Sequence, residues 1–199
     1  MELESVMDFE CKNRIVWEIT NDYIIGRTND ISLKNKRIAA FDLDDTIIKP
    51  SSDKKFSENE NDWKLYDNSI FGKLLKLSLD GYQIVIVSNQ KGISIGKVNI
   101  DMFKMKLEKI VNYLDLDITF FCSLNDNHYR KPRIGLWSLI DGDKSESFYC
   151  GDAGGLKERT INGNYIFKDF SDTDIKFAKN VGIKFIHRDE FVFNVIYDD

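Results

Sequence analysis

The feature that most restricts this chain is the apolar, β-rich run over residues 37–43, which ends in Asp42, Asp44 and Asp45 with Thr46 beside them. Such a run reads as a strand buried on both faces of a parallel sheet, with polar chemistry delivered at its carboxyl end. Side chains alternate along a strand, so Asp42 and Asp44 leave it on the same side. Two carboxylates placed side by side repel one another unless a cation or a shared proton relieves them. A catalytic reading makes Asp42 a nucleophile and Asp44 a proton donor and acceptor. The competing reading is an acidic turn in which Asp45 and Thr46 hydrogen-bond the backbone.

The rest of the chain alternates strands with helices. Residues 1–14 read as a flexible amino terminus and 15–199 as a single domain, divided into a β-hairpin extension (15–36) and an α/β core (37–199). The hairpin follows from short apolar runs over 15–25 broken by Asn21 and Asp22. Residues 49–66 are polar and irregular, an insertion expected to lie over the site. Ile70, Leu74, Leu75, Leu77 and Leu79 mark a helix with Gly81 near its cap, and Phe103, Leu107, Ile110, Val111 and Leu114 mark another over 99–114. Further helices are expected at 135–140 and 174–180, and strands at 83–87, 118–122, 148–150 and 183–186. This order implies a mostly parallel sheet with helices on both faces.

A net charge of -5 argues against nonspecific coating of nucleic acid, which depends on many cation–phosphate contacts. It leaves room for recognition of a single end by local cations, for which the stretch 91–97 and Arg130, Lys131 and Arg133 are candidates. Cys11, Cys122 and Cys150 form no CxxC pair and are odd in number, which suggests neither a disulfide framework nor a zinc knuckle. The start of the chain is acidic where a signal peptide is basic, and no run of about 18 apolar residues is present for a membrane span. A soluble intracellular monomer, in nucleus or cytoplasm, is the expectation.

Asp42-Leu43-Asp44-Asp45-Thr46 resembles the first motif, DxDx[TV], of the haloacid dehalogenase superfamily of phosphatases. That resemblance implies a Rossmannoid fold, a covalent aspartyl-phosphate on Asp42, acid–base work by Asp44, and Mg²⁺. Ser88, after the apolar run 85–87, matches the superfamily's second motif, which hydrogen-bonds phosphoryl oxygens. Lys131 in Tyr129-Arg130-Lys131-Pro132 matches the third, a cation that neutralises the phosphoryl group; its bland alternative is a solvated surface lysine. Asp152 in Phe148-Tyr149-Cys150-Gly151-Asp152 matches the fourth. The implied metal ligands are Asp42, Asp152 and the backbone carbonyl of Asp44, with water completing the octahedron. The usual second acid, four positions later, is replaced by Leu156, so Asp174 is the candidate supporting acid; Asp174 reads equally well as a first-turn helix residue after Ser171.

Within the superfamily the chain resembles the phosphatase domain of polynucleotide kinase 3′-phosphatases over residues 15–190. The stretches that carry this are Phe56 through Asp62-Trp63-Lys64, Ser88-Asn89-Gln90-Lys91-Gly92-Ile93, Arg130-Lys131-Pro132-Arg133-Ile134-Gly135-Leu136-Trp137, and Lys168-Asp169-Phe170-Ser171 with Asp174. The resemblance implies action on 3′-phosphate ends of DNA in repair or end processing, with Thr46, Asn89, Gln90, Lys91, Lys97, Arg130 and Arg133 toward phosphate or substrate. Trp63, Tyr66 and Trp137 suit either base stacking or core packing. No GxxxxGK[ST] loop is present, so no 5′-kinase activity is expected. Two alternatives stand beside this reading. One is a phosphatase for histidinol phosphate or a sugar phosphate, although Cys122 and His128 alone cannot build the zinc loop common there. The other is a noncatalytic end-binding protein that retains the fold.

Overall fold

A computed structural model describes residues 15–52 and 54–197, and the amino terminus expected to be flexible lies outside them. In chain order the elements are β1 (Val16–Ile19), β2 (Tyr23–Arg27), β3 (Ile38–Phe41), β4 (Ile48–Lys49), β5 (Lys64–Leu65), α1 (Ser69–Leu79), β6 (Gln83–Asn89), α2 (Lys91–Ser94) and α3 (Ile100–Leu114). They continue with β7 (Ile118–Ser123), α4 (Gly135–Ile140), β8 (Phe148–Gly151), β9 (Arg159–Ile161), β10 (Asn164–Ile166), α5 (Thr173–Val181), β11 (Lys184–His187) and α6 (Arg188–Phe193).

Seven strands make the main sheet in the order β1-β2-β7-β6-β3-β8-β11. From β7 to β11 all neighbours are parallel, as βαβ crossovers dictate. The amino-terminal hairpin is not a separate appendage, because β2 pairs antiparallel with β7 and continues the sheet.

Both faces of the parallel strands are covered, which is why the strands are apolar without polar alternation. Phe41, Ile84, Ile86, Phe120 and Cys150 turn to one side, where Ile70 and Leu74 of α1 and Phe103, Leu107 and Ile110 of α3 pack. Ala40, Val85, Val87, Phe121 and Tyr149 turn to the other, against Leu136 and Trp137 of α4 and Phe177 and Val181 of α5. Helix α3 starts where Asn99 accepts hydrogen bonds from the backbone N–H of Asp101 (2.8 Å) and Met102 (3.0 Å), a side-chain N-cap. Helix α5 ends at Gly182, whose φ of 84° suits a residue without a β-carbon. Among the described residues no helix is long and apolar enough to cross a membrane.

Four features escape the sequence reading: the two-residue β4/β5 ladder, the one-turn helix α2, the β9/β10 hairpin and α6. The first three are too short for hydrophobic periodicity to register. The hairpin does carry a turn signal, Asn162-Gly163, with φ of 50° and 79°.

Leu107 has no exposed surface and sits on the inner face of α3. Leu107→Ala is expected to cost roughly 2–5 kcal/mol. Urea unfolding should show a lower midpoint with an unchanged slope.

Candidate active site

Parallel strands deliver their carboxyl ends to one edge, and the chain winds away from β3 in both directions, through β6 on one side and β8 on the other. A crevice opens where such a sheet reverses its winding. Asp42 follows β3 there, and its backbone N–H donates to the Cys150 carbonyl at 2.8 Å, extending the β3/β8 pairing by one residue. Asp152 follows β8, Ser88 lies in β6, Lys131 comes from the loop between β7 and α4, and Asp174 opens α5.

Lys131 is the centre of the arrangement. Its side chain is 2% exposed, and its ammonium donates to Asp42 Oδ1 (2.7 Å), to Asp174 Oδ1 (2.9 Å) and to the Tyr149 hydroxyl. Asn89 fixes the lysine backbone on both sides: its Oδ1 accepts from the Lys131 N–H (2.9 Å), and its Nδ2 donates to the Lys131 carbonyl (3.1 Å). The Lys131–Pro132 peptide is cis. Gly151 is needed because a β-carbon there would collide with the Asp174 carboxylate.

Asp42, Asp152 and Asp174 each offer a carboxylate oxygen within 4.8 Å of the others. One ammonium cannot balance three such groups. Burial, reinforced by Asp174 and Asp152 and opposed by Lys131, holds the Asp42 carboxyl well above the usual carboxylate range. Burial and Asp174 push Asp152 up to about 6. Lys131 is raised as well, which in a lysine favours the charged form: burial disfavours its charge, but Asp174 and Asp42 outweigh that. An all-oxygen cluster with excess negative charge fits a hard divalent cation such as Mg²⁺.

The position of Asp174 is compatible with both readings of the sequence. It lies in the first turn of α5, and its carboxylate accepts from Lys131 and from the Ala153 N–H at 3.1 Å, within reach of the other two acids. The side chain of Asp44 stays outside the cluster, half-exposed, where Gln90 Nε2 donates to it at 2.8 Å and to Ser88 Oγ at 2.8 Å. Thr46 Oγ1 donates to Asp152 Oδ1 at 3.2 Å.

The expected cations separate into two groups. Lys131 and Arg130 line a cleft of about 360 Å³ around Asp42, whereas Lys91, Lys97 and Arg133 are not among its lining residues. Arg133 is engaged by Asp126 (2.9 Å) and Lys91 approaches the same carboxylate (3.9 Å), so the chain's own acid competes with any substrate phosphate. Trp137 is buried in the core and Trp63 packs edge-on against Tyr113, which removes both as stacking platforms. Tyr66 lies beneath the Arg188 guanidinium.

Residues missed by sequence reasoning surround the cleft. The insertion 49–66 is organised by Asp62, whose carboxylate accepts from Ser51 Oγ, from the Ser52 N–H and hydroxyl, and from the Glu58 N–H. Those hydrogen bonds hold its carboxyl far below the usual range. The loop thus presents Lys55 and Phe56 at the cleft, opposite Phe170. Lys106 of α3 is buried with its ammonium 4.0 Å from Asp44. Behind the acids, His187 Nε2 donates to the Asp152 carbonyl (3.1 Å), its Nδ1 accepting from the Asp189 N–H, while Arg188 donates to the Asp45 carbonyl (2.8 Å). The Asp45 backbone needs that support, since its φ is 59°.

A three-layer α/β fold with an aspartate after the central strand and a lysine and two further acids around it defines a HAD-like phosphatase fold. The solved structure of a HAD-like phosphatase from Mesorhizobium loti superposes with a TM-score of 0.57 at 17% identity, covering 84% of this chain and 97% of that one. A D,D-heptose 1,7-bisphosphate phosphatase from B. bronchiseptica, solved with magnesium and phosphate, also superposes at 0.57, with 15% identity over 75% of this chain and 78% of its own.

The chain belongs to the polynucleotide kinase 3 phosphatase family, whose sequence pattern matches residues 37–192. It is 36% identical over 186 residues to the bifunctional polynucleotide phosphatase/kinase of Schizosaccharomyces pombe, an alignment that covers 90% of this chain and 43% of that protein. The chain thus spans less than half of that relative.

The acid cluster predicts a pH dependence. In the metal-free protein a folded-state value of about 6 for Asp152, against 3.8 without the fold, means the folded state binds this proton more tightly than the unfolded one. Stability contributed by the proton is fully present below about 4 and is lost as pH rises toward about 6. The unfolding free energy of the native chain minus that of Asp152→Asn, in EDTA, should fall across this window and then level. A difference that rises with pH would contradict the assignment.

Proposed function

We propose that this chain is a Mg²⁺-dependent polynucleotide 3′-phosphatase that works through a covalent aspartyl-phosphate on Asp42. Asp42 attacks the phosphorus, and the bond to the 3′ oxygen breaks as Asp44 gives that oxygen a proton. Asp44, now a carboxylate, takes a proton from water. The water oxygen attacks the phosphorus, inorganic phosphate leaves, and Asp42 is regenerated. Gln90 supports this role because its amide holds Asp44 in one position beside Ser88.

Lys131 serves two ends. It keeps Asp42 oriented, and its ammonium offsets the charge that gathers on the phosphoryl oxygens, with the Ser88 hydroxyl as a further donor. Asp42, Asp152, Asp174 and the Asp44 carbonyl would hold Mg²⁺, which would supply positive charge to the same oxygens. The ordinary repulsion between substrate phosphate and three acids makes that cation necessary.

The observation that carries the polynucleotide part of the reading is at the rim. Phe56 and Phe170 are 74% and 89% exposed beside the open cleft, and the Lys55 ammonium lies 5.5 and 5.0 Å from their ring centroids. Two solvated aromatic faces with a cation between them suit a nucleobase and its phosphodiester. Arg130 adds a donor: its Nη1 is buried without a hydrogen-bond partner. A sugar phosphate offers no aromatic ring to either face.

The test is phosphate release from matched oligonucleotides bearing a 3′- or a 5′-phosphate, with Mg²⁺ or EDTA, beside a panel of sugar and histidinol phosphates. Selective Mg²⁺-dependent 3′ release is expected. Asp42→Asn should lower kcat by about a thousandfold or more while the unfolding midpoint is retained. Turnover of a metabolite with inert oligonucleotides would overturn the substrate assignment.

A further inference from the structure

A second groove, of about 380 Å³, adjoins the catalytic cleft and shares Asp45, Asp152 and Phe170 with it. Its outer wall is the β9/β10 hairpin. Tyr165 lies in β10 and Phe167 one residue past its end. They are 60% and 78% exposed, and their rings meet edge to face at 5.1 Å. Exposing two neighbouring aromatic rings forgoes burial that the core could have used, and contiguous exposed apolar surface beside a site marks a place where something binds.

The hairpin is anchored at its base. The Asn162-Gly163 turn sets its register, with Tyr165 opposite Thr160. Arg159, at its base, donates to Asp169 (2.9 Å), to Asp189 and to the Tyr197 hydroxyl (3.0 Å). A platform fixed in this way costs a ligand little ordering of the protein. The same groove is lined by two cations, Lys168 and Arg188. Lys55, poised over Phe170, stands at the junction of groove and cleft.

On the reading that the substrate is a polynucleotide 3′ end, we propose that this groove is a second nucleotide subsite. The terminal nucleotide occupies the catalytic cleft between Phe56 and Phe170. The strand then turns past Lys55, which meets the linking phosphodiester, and the penultimate base stacks on Tyr165 and Phe167. Stacking needs an unpaired base, so the subsite selects ends at which the last two nucleotides are single-stranded.

The experiment compares 3′-phosphorylated thymidine mono-, di- and trinucleotides with Mg²⁺. For the native chain kcat/KM should rise roughly tenfold or more from mono- to dinucleotide, and little from di- to trinucleotide. Tyr165→Ala combined with Phe167→Ala should erase that step, leave mononucleotide turnover within about twofold, and leave the unfolding midpoint unchanged. Tyr165→Phe with Phe167→Tyr should restore the step. A 2-aminopurine at the penultimate position should be quenched on binding to Asp42→Asn and not when the alanine pair is added.

The subsite is overturned if 3′ release is found without a dependence on length, or if the alanine pair reduces mononucleotide turnover equally, which would make the hairpin a support for Asp152. Loss of the parent reading looks different: no length of oligonucleotide is dephosphorylated, 2-aminopurine is not quenched, and both claims fall together.

Discussion

Lys131 carries a full charge into the interior, where an isolated ammonium costs several kcal/mol, and the surrounding geometry exists to make that tolerable. Asp42 and Asp174 sit 2.7 and 2.9 Å from it, and Tyr149 adds its hydroxyl from the strand between them. These partners come from β3, β8 and α5, so the order of the sheet and the placement of α5 on one face are prerequisites for the cluster. Asn89 at the end of β6 then locks the lysine's own backbone. Removing the lysine would leave Asp42 and Asp174 buried with no cation between them, whereas loss of either acid leaves the ammonium paired with the other.

The same cluster is electrostatically incomplete. Three carboxylates against one ammonium leave Asp42 and Asp152 holding their protons more tightly than acids in water. For Asp152 the ionised form is disfavoured by on the order of 3 kcal/mol, a strain that a divalent cation would remove. Stability is thereby given up at the site in exchange for chemistry, while the stabilising burial lies in the two apolar layers on either side of the sheet. His187 and Arg188, on the far strand and the helix after it, hold the backbones of Asp152 and Asp45 without touching the cleft's acids directly.

Much of this was legible in the sequence because buried strands and amphipathic helices leave long patterns. The run into Asp42, the helix of Phe103 to Leu114 and the strands before Ser88 and Asp152 all register by periodicity or by continuous apolar character. Asp42, Asp152 and Lys131 fall at strand ends or in the loop that follows one, and the fold brings them together. Asp174 was half legible, since its position marks a helix start whatever its carboxylate does. The rim was not legible. Phe56, Phe170, Tyr165 and Phe167 sit in irregular or very short segments, where an aromatic residue gives no sign of whether it is buried. Trp137, which the sequence leaves open between stacking and core packing, goes to the core, and Arg133, expected toward substrate, is engaged by the chain's own Asp126.

Covalent catalysis by Asp42 is the claim on which the mechanism rests, and it is reached most directly by rapid acid-quenching of the native chain during turnover of an oligonucleotide carrying a ³²P-labelled 3′-phosphate. Native Asp44 is kept, because it serves both the formation of the intermediate and its breakdown. The account predicts label bound to protein, released by hydroxylamine and mapped to the peptide containing Asp42. Consumption of the 3′-phosphate with no label on the protein, or label on another residue, would contradict it.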